Sequence, residues 1–136
     1  MLKILVAGGF DDANKETRPG LQAFAQLLGR EVLTQGHLLL NACRTPFDCA
    51  VAEGAQAVAG TTGQSQTDRI ISYVMAGRTP AHTFGNVRTS QLVDWELGNP
   101  RLRVPEPIES ADAVIVVDRL HPFAAPRTIR LDEPLP

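Results

Sequence analysis

The chain has 136 residues, 43% hydrophobic and 21% charged, with a formal net charge of -2. That length allows one domain with a real core and not two ordinary ones, and the composition excludes a disordered chain. With no basic stripe, general nucleic-acid binding is disfavoured, and no apolar run approaches membrane-spanning length.

Leu2 to Ala7 is an apolar run broken only by Lys3, the pattern of a strand covered on both faces. It is too short for a secretory leader and has no cleavage region. Gly8 and Gly9 end it, either to let a phosphate or ribose approach the backbone or to make a turn at positive φ. Phe10 to Arg18 has the polar look of a loop. From about Pro19 to Gln35, Leu21, Phe24, Ala25, Leu28, Val32 and Leu33 form a helical stripe, and Gly36 stops it.

Leu38 to Ala59, LLLNACRTPFDCAVAEGAQAVA, carries the densest signal. It predicts a short buried strand (Leu38, Leu39, Leu40), a polar turn and a helix. Thr45 stands at the N-cap, Pro46 at the first helical position and Asp48 three residues after the cap. A helix start of this kind offers unpaired amides and a positive dipole end to an anion. Arg44, immediately before it, adds a cationic fork, so the pattern points to phosphate. Asn41 is placed to orient a ribose or the turn. Glu53 lies further along this helix, facing the crevice or, more in keeping with its position, solvent. Cys43 and Cys49 stand six positions apart, which is not a metal pattern; packing and a reduced, cytoplasmic setting fit them better. His37, His82 and His121 have no ligand-like spacing either, so no metal is expected.

Gly60 to Thr67 reads as a linker, and Ile70 to Met75 as a third strand, with a helix as the alternative that the spacing of Ile70, Ile71, Val74 and Met75 also fits. Gly85 to Ser90 is expected to be a loop, with Ser90 capping a short helix to Leu97 that carries Trp95. His82, Gly85, Arg88 and Ser90 cluster after the third strand, and a helix start at Ser90 would be a second anion candidate. Pro105 to Ser110 predicts a short helix. Asp112 is a turn or cap residue, and Ala113 to Val117 the last strand. Asp118 ends that strand, where a carboxylate could accept hydrogen bonds from ribose hydroxyls. The last residues, 119–136, hold four prolines and lose apolar periodicity, which predicts an extended tail after a domain of residues 1–118.

Alternating strands and helices predict an α/β fold, a three-layer sandwich around a parallel sheet of four to five strands. Ligands of such sheets sit beyond the carboxyl ends of the strands. Gly8 and Gly9, Asn41 to Thr45 with Arg44 between them, Ala76 to Arg78, and Asp118 would gather at that edge, with Gly85 and Ser90 as second-rank contacts. There is no G-x-G-x-x-G and no G-x-x-x-x-G-K-[ST], so an ordinary dinucleotide dehydrogenase and a P-loop enzyme are both disfavoured.

Three segments, KILVAGG with the helix ending at Gly36, LLLNACRTPFDCAVAEGA, and PEPIESADAVIVV, resemble the SLOG superfamily, which includes the Lonely Guy nucleotide phosphoribohydrolases. The resemblance spans about residues 2–118. It implies a Rossmann-like fold and a pocket for nucleotides or nucleotide-derived signals such as ADP-ribose derivatives. Where that group has G-G-x-G-T after its last strand, usually leading to a catalytic Glu, this chain has DRLHPFAAPRT. Ala42, Cys43, Arg44 and Thr45 also replace the glycines of the group's second turn. Both departures point to binding rather than catalysis, a sensor-type domain with no cofactor of its own, acting as a homo-oligomer or through a partner protein. Two alternatives stand beside it. One is an N-glycosidic-bond enzyme of the phosphoribohydrolase or deoxyribosyltransferase kind, using Glu53 or Asp118. The other is an assembly protein with a vestigial pocket.

Overall fold

A computed structural model describes residues 1–8, 18–61, 66–80, 82–94 and 103–117. Strand β1 (Lys3–Gly8) leads to helix α1 (Arg18–Thr34), then β2 (Leu38–Asn41), α2 (Pro46–Thr61), the short α3 (Gln66–Arg69) and β3 (Ile70–Met75). After these come β4 (Asn86–Ser90), β5 (Leu92–Asp94), β6 (Arg103–Pro105), α4 (Glu106–Ser110) and β7 (Ala113–Val117). Five strands form one parallel sheet in the order β4-β3-β2-β1-β7, and β5 pairs antiparallel with β6 apart from it. This is the Rossmann-like α/β sandwich that the alternation predicts. The chain steps outward from β1 to β4 and then returns to lay β7 against the other side of β1.

Side-chain alternation divides the core between the two faces of the sheet. Val6, Leu39 and Ile70 point to the layer of α1 and α2, where they meet Val32, Leu33, Phe47 and Val51. Leu5, Leu40, Ile71 and Tyr73 point to the other face, where Ala111 packs against them. The two long helices lie against each other. Their crossing is so close that a Cβ on Gly29 would stand 1.8 Å from the carbonyl oxygen of Val51, and one on Gly54 would stand 2.0 Å from that of Gln26. Only glycine fits at either position.

Buried polar side chains tie the elements together. Arg69 is 7% exposed and donates from Nη2 to the carbonyls of Leu33 (2.6 Å) and His37 (3.0 Å), holding the end of α1. Gly36 follows that end at φ +84°, as its stop position requires. The Asp112 carboxylate accepts the Lys3 N–H at 2.8 Å and so aligns β7 with β1.

The middle of the chain departs from the sequence reading. Gly85 to Ser90 is not a loop: Asn86–Ser90 is β4, paired in parallel with β3 from Ile71↔Asn86 to Met75↔Ser90. Its residues are mostly exposed at the sheet's edge, and the hydrophobic pattern of a strand is missing. Ser90 therefore caps no helix; it ends a strand and is followed by β5. The supposed linker is shorter too. Helix α2 runs on through Gly60 and Thr61, and α3 begins at Gln66. Gly9, Trp95, Asp118, His121 and the tail 119–136 lie outside the described residues.

Candidate functional site

The turn between β2 and α2 is built by its own side chains. Asn41, fully buried, donates from Nδ2 to the Asp48 carbonyl (2.7 Å) and accepts the Cys43 N–H at Oδ1 (2.8 Å). Of its two expected uses, it orients the turn. Thr45 caps the helix as expected, its Oγ1 accepting the Asp48 N–H at 3.1 Å. The same hydroxyl donates to the Gly8 carbonyl at 2.8 Å, so one side chain joins the end of β1 to the start of α2. Asp48 reaches back and accepts the Arg44 N–H at Oδ2 (3.0 Å). The reciprocity is that of a capping box displaced by one residue.

These bonds change how an anion would be held. Pro46 has no N–H, Thr45 takes that of Asp48, and the loop amides of Cys43 and Arg44 serve Asn41 and Asp48. The Cys43, Arg44 and Asp48 amides are thus engaged within the chain, its own side-chain oxygens standing where ligand oxygens would. The cation that remains directed outward is the exposed Arg44 side chain. Gly8 also has a reason other than the expected ones. It is not at positive φ, but a Cβ there would meet Phe47 Cδ1 and the Val117 carbonyl oxygen, each at 2.9 Å. The glycine lets the Phe47 ring seat against the sheet.

Two cavities flank this turn. The larger, about 850 Å³, opens beyond the ends of β2 and β3, between the start of α2 and the segment that follows β3. Arg44, Arg78, His82, Cys43, Cys49 and Glu53 line it. The smaller, about 320 Å³, lies on the face away from α1 and α2, beneath α4, and is lined by Gly8, Tyr73, Ser90, Pro107, Ile108 and Asp48 among others. Arg44 and Thr45 belong to both. Of the expected site residues, Gly8, Arg44, Thr45 and Ser90 come together here. Gly85 lines neither cavity; it makes the turn into β4 at φ +67°.

Charge and burial set the chemistry of the larger cleft. Glu53, expected to serve the surface, stands on its wall, where Oε1 accepts the Cys49 S–H (3.4 Å) and Oε2 the Gln26 amide (3.5 Å). Burial, then that hydrogen bond and the Glu53 and Cys43 charges, push the Cys49 thiol up to about 11. The Cys43 thiol is also raised, chiefly by burial, with Ser72 acting against it. Neither is an activated thiolate at neutral pH. Asp48 is raised by burial, while the Arg44 and Thr45 amides and the charges of His82 and Arg44 hold it down. Its Oδ1 and the His82 Nε2 are buried without a hydrogen-bond partner among the described residues. The sequence reading set Ala76–Arg78 at this edge without singling out Arg78 and left Glu53 between crevice and solvent; the path of the chain after β3 puts Arg78 in the same cleft as Arg44.

Among the described residues no group of His, Cys, Asp and Glu is arranged to hold a metal, and no helix is long and apolar enough to cross a membrane. No protein-family model and no curated protein matches the chain. It is similar to the X-ray structure of TM1055, a target of the Northeast Structural Genomics Consortium, at 19% identity and a TM-score of 0.42. That alignment covers 86% of this chain, which spans about half (48%) of the length of that protein.

Proposed function

We propose that this protein binds a nucleotide or a nucleotide-derived phosphate ester, such as an ADP-ribose-like molecule, in the cleft beyond β2 and β3. The observation that carries the reading is the pair of exposed arginines, Arg44 and Arg78, lining one cleft at the carboxyl edge of a parallel sheet. Two planar guanidinium forks match phosphate oxygens without needing the Cys43, Arg44 and Asp48 amides, which the chain uses itself. A cavity of about 850 Å³ has room for a nucleotide. The SLOG-like segments support the same ligand class. On this reading the domain is a cytoplasmic sensor whose occupancy is passed to a second copy or a partner protein. Gly8, Thr45 and Asn41 act as positioning residues.

The test is a calorimetric and thermal-shift comparison of AMP, NAD and ADP-ribose on wild type and on Arg44→Ala. Losing a charge-assisted contact should cost about 1.5–3 kcal/mol of binding, roughly a ten- to hundredfold weaker Kd. Equal binding by wild type and variant, or no binding of any nucleotide, would reject the reading.

The carboxylate of Glu53 on the cleft wall favours one alternative, an N-glycosidic-bond enzyme. Such an enzyme would release free base from a nucleoside monophosphate and lose that activity in Glu53→Gln, whereas a sensor would release none.

A further inference from the structure

The smaller cavity differs from the larger in having mostly apolar walls, with Leu5, Tyr73, Pro107 and Ile108 among its lining. Asp48, 2% exposed, is also among its lining residues. One oxygen of the Asp48 carboxylate, Oδ2, accepts the Arg44 N–H, and the other, Oδ1, has no partner among the described residues. An unpaired buried acceptor is costly, and a chain that keeps one beside a cavity gains when an occupant donates to it.

The cavity's shape and walls narrow the choice of occupant. About 320 Å³ suits one ring system rather than a whole nucleotide. Walls that are mostly apolar and include a tyrosine suit the faces of a flat ring better than a hydroxyl-rich ribose. The two cavities share Ala42, Arg44, Thr45 and Met75, so they adjoin at the turn that carries Arg44.

We propose that the smaller cavity is a base subsite, in which Asp48 Oδ1 accepts an N–H from the edge of an amine-bearing nucleobase while the phosphate lies at Arg44. The inference rests on the nucleotide reading and adds to it a preference among bases. A base with no N–H on its edge leaves the carboxylate oxygen unpaired and is disfavoured.

Calorimetry on the whole chain tests this with AMP, purine riboside 5′-monophosphate (the same ring without the amine) and ribose 5-phosphate. The expected result is that AMP binds at least about tenfold more tightly than either of the others. Asp48→Asn turns a donor into the cavity and should abolish that preference. Because Asp48 also closes the turn, Ile108→Trp serves as a second variant. It fills the cavity from a position on α4 that is 38% exposed, and should lower the ratio of AMP to ribose 5-phosphate affinity in the same way. If ribose 5-phosphate binds, and AMP and purine riboside 5′-monophosphate bind no more tightly than it, the base subsite is overturned and the phosphate reading survives. An Ile108→Trp variant that leaves the ratio unchanged overturns the subsite equally. If none of the three binds, both fall.

Discussion

Cys43 stands at φ +55°, the only described residue other than glycine with a positive φ. This region costs an L-residue about 1–2 kcal/mol, which glycine avoids. The turn therefore keeps a glycine's backbone shape while presenting a side chain. Cys43→Gly should be neutral or stabilising by up to about 1 kcal/mol, and Cys43→Val destabilising by more than about 1 kcal/mol, because a branched Cβ fits that region worst. Urea unfolding of the two variants measures the difference. Cys49 makes a second residue-level prediction. With its thiol near 11 rather than the usual 9.0, it holds about a hundredfold less thiolate at pH 8. Alkylation by iodoacetamide, followed by peptide mass spectrometry, should keep rising about tenfold per pH unit beyond pH 9, where an ordinary thiol levels off. Glu53→Ala removes both the hydrogen bond to the thiol and the Glu53 charge, so the rise should end at lower pH. The sign for stability follows from the same shift. Between the unfolded and folded values the native state alone keeps its proton, so this group's contribution declines as pH rises through that window.

Among the elements, the α1–α2 pair is the most sharply constrained. Alanine is a better helix former than glycine by about 1 kcal/mol, so Gly→Ala inside a helix ordinarily stabilises. At Gly54 and Gly29 the added methyl would run into the facing helix's backbone, and the helices must part. Gly54→Ala should therefore cost about 1–3 kcal/mol or more in spite of its propensity. Gly20→Ala, on α1 with nothing within 4 Å of its Cβ, should be neutral or mildly stabilising. Thermal melts of the two variants test the contrast. Elements were legible in the sequence wherever burial and local signals agreed. Strands β1, β2, β3 and β7 are apolar runs, and α1 and α2 carry a stripe with caps. Strand β4, NVRTS, was not legible, because its backbone pairing with β3 comes with no apolar run, unlike β7, AVIVV, at the sheet's other and equally exposed edge. The glycines of the crossing were equally silent, since glycine in a helix looks like weakness until the opposing backbone is known.

At the scale of the whole molecule, the sequence located the turn between β2 and α2 better than it described it. Thr45, Pro46 and Asp48 announced a helix start, and alternation placed that start at the carboxyl edge of the sheet. What the helix start does with its amides depends on Asn41 and Asp48 folding back on the turn, and that is settled by three-dimensional reach. Arg78 meets Arg44 only because β3 lies next to β2. The helix crossing has a mechanical corollary. At Gly29 and Gly54 helices α1 and α2 touch backbone to backbone, and there no side chain stands between them to rearrange, so they respond to load as one beam. Cys49, Ala50 and Glu53 ride on that beam as one wall of the larger cleft. The facing wall, Arg78 to Pro80 and His82, hangs between Gly77 at φ +79° and Gly85 at φ +67°, two joints free of Cβ atoms. The cleft thus joins a wall fixed by the helix crossing to a wall whose ends are set by glycines at positive φ.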